Sequence, residues 1–95
     1  MKLSELLSDE SKWCQCALAL NRFGSYVEPD SADAVKWCLA GAIHKCFPDD
    51  YYKIKNIVEL VVFKEFGLET LSFFNDSVTF EEVQKVIKEF ENVPF

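Results

Sequence analysis

The sequence predicts an α+β fold, mostly helical, with three to four packed helices and a small N-terminal β-hairpin. Three observations carry this. Apolar residues recur at helical spacing in the middle and the C-terminal half of the chain. Helix start and stop residues bracket those segments. The tetrapeptide Asn21-Arg22-Phe23-Gly24 has the composition of a tight turn between two short apolar flanks. At 95 residues, 49% of them hydrophobic and 15% aromatic, the chain has length for one domain, 1–95, and ample apolar mass for one core.

Residues 3–8 read as a short helical turn with Leu3, Leu6 and Leu7 facing inward, broken by Ser8-Asp9-Glu10-Ser11. The segment from Trp13 to Val27 supports two readings. In one, Ala17-Leu18-Ala19-Leu20 pairs with Ser25-Tyr26-Val27 across a type I turn closed by a glycine bulge. In the other, residues 11–22 form a helix, with Gly24 as its stop. Propensity favours the helix, because Ala and Leu are helix formers.

Pro29-Asp30-Ser31 then starts a central helix over 31–47, with Asp30 or Ser31 as N-cap and Pro48 as terminator. Its buried stripe is Val35, Cys38, Leu39, Ala42, Ile43 and Cys46. Trp37, Gly41 and His44 fall on a second face. A further helix covers 50–66, with Ile54, Ile57, Val58, Val61, Val62 and Glu65 along one stripe and Gly67 just past its end. Residues 68–77 are expected to be a loop or short extended piece. The last helix, 79–91, has the strongest signature. Thr79 and Glu82 form a capping box, Val78 and Val83 a hydrophobic staple, and Val83, Val86, Ile87 and Phe90 its buried stripe. The tail Val93-Pro94-Phe95 is left open between packing and fraying.

Charge narrows the function. The formal net charge of −6 disfavours nucleic acid and anionic membrane surfaces as partners. No signal peptide or membrane span is expected, so the chain reads as cytoplasmic with Cys14, Cys16, Cys38 and Cys46 reduced. Cys38 and Cys46, about 12 Å apart along one helix, are too distant to bridge. The spacing lacks the pair-of-pairs pattern of a zinc site, so neither metal nor cofactor is expected. A Cys–His nucleophile pair finds no cysteine within helical reach of His44. Asn75-Asp76 reads either as an anchored polar pair at the mouth of an aromatic pocket or as a turn that satisfies backbone groups. Gly41 costs about 1 kcal/mol against alanine inside a helix. That cost points to close backbone approach, by the hairpin or by the Phe73–Asp76 segment, with Asn75-Asp76 the best candidate. No catalytic residue is assigned.

The run Trp13-x-Gln15-Cys16-Ala17-x-Ala19-x-Asn21-x-x-Gly24, followed by Ala34-x-x-Trp37-Cys38-x-x-Gly41-Ala42 and by Asn75-Asp76 ahead of the capped helix, resembles a family of small bacterial and phage proteins of unknown function. Its members read W-x-Q-G-A, W-C-x-x-G-A and W-N-D at these places. The likeness spans about residues 3–90. Cys16 stands where the family has glycine, Asn21 where it has aspartate, and Phe74 where it has tryptophan. The resemblance implies a hairpin-like first motif, and it implies that Trp13, Gln15, Trp37, Cys38, Gly41, Asn75 and Asp76 act together. It implies no activity.

These observations lead to a small acidic, non-enzymatic binding or interaction protein. Its candidate ligand-binding residues are Trp13, Gln15, Trp37, Gly41, His44, Asn75 and Asp76, with an unknown protein or a small polar ligand as partner. One alternative is a phage-type inhibitor of a host protein acting through its acidic surface. The other is a thiol enzyme using Cys38 or Cys14 with His44. The oligomeric state is not legible in the sequence.

Overall fold

The computed structural model describes residues 1–92, so the tail Val93-Pro94-Phe95 lies outside the described residues. Helix α1 spans Leu3–Leu6 and buries Leu3 and Leu6 together with the following Leu7. After a single 3₁₀ turn at Glu10–Lys12, the chain extends through Trp13 and Cys14. Strand β1, Ala19–Leu20, pairs antiparallel with β2, Lys36–Trp37, setting Ala19 opposite Trp37. Trp13 forms an isolated parallel bridge to the same Trp37. The Cys14 amide donates to the Trp37 carbonyl at 3.1 Å.

The hairpin turn at 21–24 is present, and no helix covers 13–22. The Gly24 amide donates to the Asn21 carbonyl, and the Asn21 amide to the Ser25 carbonyl. Gly24 has φ +79°, as a glycine bulge requires. Asn21 Oδ1 accepts from the Phe23 and Ser25 amides, which closes the loop from within. An antiparallel bridge joins Leu20 to Tyr26. The two-residue ladder, however, uses β2 rather than 25–27.

The central helix is shorter than expected. Helix α2 spans Leu39–Cys46, not 31–47. Pro29-Asp30-Ser31 is spent on turns: the Ser31 amide bonds back to Glu28, and Ser31 in turn accepts from Ala34 and Asp33. Lys36 and Trp37 are then drawn out as strand, and the Val35 amide just before them finds the Leu20 carbonyl. Val35, expected in the core, is 42% exposed, and Cys46 is only partly buried. Cys38, Leu39, Ala42 and Ile43 are buried as the stripe predicts.

Helix α3, Tyr51–Phe66, ends at Gly67 in the left-handed conformation. Asp50 occupies its N-cap position without a side-chain cap bond. Where a loop was expected, Leu71–Ser77 forms helix α4, capped by Thr70 Oγ accepting from the Phe73 amide. Helix α5, Phe80–Glu91, carries the predicted reciprocal capping box between Thr79 and Glu82. Its stripe of Val83, Val86, Ile87 and Phe90 is buried, joined by Phe80.

The whole is α+β and mostly helical, with a small sheet near the N-terminus. Helix α3 lies against α2, α4 and α5, and α1 lies against α2 and α5. The shared core is filled by Phe74, Leu39, Ile43, Leu71, Val58 and Val83, with the Phe66 ring tilted on Phe74 at 5.0 Å. Helix α4 is held from two sides: Phe74 points into the core, and the Leu71 amide donates to Glu59 of α3. Among the described residues no helix is long and apolar enough to cross a membrane.

Candidate functional site

The site grows from one buried amide. Asn75 sits in the last turn of α4 and is 1% exposed. A side-chain amide can accept twice through oxygen and donate twice through nitrogen. Asn75 uses all four positions. Its Oδ1 accepts from the Trp13 indole at 2.7 Å and from the Leu39 amide at 2.9 Å. Its Nδ2 donates to the Cys14 carbonyl at 3.1 Å and to Asp76 Oδ1 at 3.0 Å. Leu39 is the first residue of α2, so a side chain of α4 satisfies an amide that the start of α2 leaves without an intrahelical partner. The Cys38 thiol caps the next part of that helix end, accepting from the Gly41 amide at 3.3 Å.

The N-terminal segment is bound to α4 by its neighbours as well. Gln15 Nε2 donates to the Asn75 carbonyl at 3.1 Å. Asp76 Oδ1 accepts from the Cys16 amide at 2.9 Å. Cys16 makes that bond with φ +65°, which puts a residue bearing a side chain in the left-handed region. The Trp13 ring leans on Phe80 of α5 at 5.7 Å. Trp13, Gln15, Asn75 and Asp76 are thus one hydrogen-bonded unit joining sequence positions about sixty apart.

The other sequence candidates divide. Trp37 joins the unit through its backbone only. Its buried indole turns away and donates to the Pro29 carbonyl at 2.9 Å. Gly41 is a close-approach point, but to Leu18 and not to Asn75-Asp76. A Cβ built on Gly41 would overlap the Leu18 carbonyl oxygen. That carbonyl also accepts from the Cys38 amide at 3.2 Å, so it is fixed in place. His44 is not part of the unit; its ring stacks on Tyr51 at 3.6 Å. The turn reading of Asn75-Asp76 is replaced as well, since both residues are helical and the Asn75 side chain reaches other segments.

Beside the unit lies a cleft of about 220 Å³. Ala17, Leu18, Ala40 and Leu71 form its apolar walls. Cys16 and Cys38 add thiols, and Ser72, Asn75 and Asp76 supply the polar edge. Sequence reasoning missed Leu71 and Ser72 because it left 68–77 without a helix. The signal was present: Thr70 is a good N-cap, and Leu71 and Phe74 sit three apart. Burial pushes the Cys38 thiol up from its ordinary range, against the pull of the Gly41 amide. It pushes Cys14 up to about 11, and it raises Cys46. These three thiols are held protonated near neutrality, which opposes nucleophilic use. Cys16 is exposed.

Comparison of the chain with known protein families, with curated proteins and with solved structures finds no match to any of them.

Proposed function

We propose that this chain is a non-enzymatic binding protein whose ligand occupies the cleft between the 16–18 segment, the start of α2 and the start of α4. One observation carries the reading: an apolar-walled cleft opens beside a polar unit whose geometry is already fixed from within. Binding sites of small molecules have this character, with apolar walls and a few pre-set polar groups. Because Asn75 is saturated, a ligand need not reorganise the edge in order to bind. The raised Cys14 and Cys38 thiols and the His44–Tyr51 stack favour binding over thiol chemistry.

Native mass spectrometry of the purified chain, run beside an affinity pull-down, tests the reading. Ser72 is exposed at the mouth, so Ser72→Phe places a ring over the cleft without disturbing the core. The wild type is expected to retain a small-molecule adduct that S72F loses, with the two ligand-free proteins melting within about 4 °C of each other, since surface substitutions usually change stability by no more than about 0.5 kcal/mol. An adduct that survives in S72F, or a captured protein partner that S72F still binds equally, would overturn it.

A further inference from the structure

We infer that the cleft selects a small organic cation, an alkylammonium or guanidinium head group seated on Asp76; this rests on the binding reading above and names its ligand class. Asp76 is the one acidic residue among those lining the cleft, and no Lys, Arg or His lines it. Its carboxylate is aimed before any ligand arrives. Oδ1 is held by the Cys16 amide and by Asn75 Nδ2, and among the described residues Oδ2 has no partner.

Three donors near the cleft that could serve an anion are already engaged. The Leu39 amide belongs to Asn75 and the Gly41 amide to the Cys38 sulfur. Asn75 Nδ2 is spent on Cys14 and Asp76. The walls of Ala17, Leu18, Ala40 and Leu71 suit a short alkyl chain behind the charged head. A free amine and a lysine or arginine side chain of a protein offer the same chemistry.

Titration of ¹⁵N-labelled chain tests this with n-butylammonium, ethylguanidinium, n-butanol, butyrate and N-acetyl-arginine amide, following the Cys16, Ser72 and Asp76 amide signals. Asp76→Asn keeps an oxygen for the Cys16 amide and removes the charge. The cations are expected to shift these signals saturably, and D76N to weaken them about tenfold, the loss of one charge-assisted hydrogen bond. In the wild type, raising the salt from low to high should weaken the cations and leave butanol unchanged. This second readout stands even where D76N fails to fold. Saturation by free amines marks a metabolite-like ligand. Saturation by N-acetyl-arginine amide alone marks a partner's side chain. Either supports the cation class. Equal binding by D76N, or a salt-insensitive response to the cations, overturns it. Occupancy by butanol or butyrate but not by the cations overturns the cation class and leaves the binding reading standing. Silence of the cleft signals to all five probes removes both.

Discussion

Two residues invert the usual rules for glycine, and both inversions follow from backbone geometry. Inside a helix, Gly→Ala ordinarily stabilises by about 1 kcal/mol. At Gly41 the new Cβ would meet the Leu18 carbonyl, which is backbone and already bonded to Cys38. Gly41→Ala is therefore expected to destabilise by about 2 kcal/mol, the cost of overpacking a fixed contact. Cys16 is the opposite case. It holds φ +65° in order to aim its amide at Asp76. A side chain pays about 1–2 kcal/mol for that conformation, partly offset because glycine loses more entropy on folding. Cys16→Gly should then stabilise by about 0.5–1 kcal/mol. Urea denaturation of both variants beside the wild type checks the two signs together; agreement in sign between them would contradict the geometry. Gly41's need for close approach was legible as a helical glycine. Its neighbour was not: the sequence pointed first to Asn75-Asp76, and the fold put the Leu18 carbonyl there instead.

At the scale of elements, legibility followed whether a local signal had a competitor. Helix α5 had none: its capping box, staple and apolar stripe all point to one structure, and that structure is found. Gly67 ended α3 for the same reason. The segment 29–38 had a competitor. Pro29-Asp30-Ser31 resembles a helix start, and Val35 to Cys46 continues an apolar helical period. Val35-Lys36-Trp37 also suits a strand, since β-branched and aromatic residues pack well on a pleated surface. The unpaired edge of β1 decided between them by offering the Leu20 carbonyl to Val35. The helix then began where Cys38 and Asn75 could satisfy its first amides. Helix α4 was lost to a different cause. At seven residues it is too short to show a clear period, and isolated helices of that length are not stable in water. It exists because Phe74 and Leu71 are buried and Thr70 caps it.

At the scale of the whole molecule, folding brings three of the four thiols out of water and leaves Cys16 at the surface. This has a consequence for stability against pH. The Cys14 value rises in the fold from its ordinary 9.0 to about 11, first through burial and then through nearby Cys38. A group whose folded value lies above its unfolded value contributes stability that is whole below the unfolded value. That stability drains as pH rises toward the folded value. Stability is thus expected to fall between pH 9 and 11, with Cys38 and Cys46 acting in the same direction. Unfolding free energies measured across that range should fall more steeply for the wild type than for Cys14→Ala; parallel curves would rule out the Cys14 contribution. Taken as a whole, the sequence by itself determined the class of fold, α3, α5 and most of the buried set, because each follows from spacing and caps within a dozen residues, whereas the turn at 21–24 competed with a helix until the fold decided it. Only the tertiary structure decided that Trp13, Gln15, Asn75 and Asp76 form one unit, that the Trp37 indole and His44 stand outside it, and that a cleft opens between α2 and α4. Those outcomes depend on which unsatisfied amide meets which side chain across about sixty positions, and no local pattern encodes that meeting.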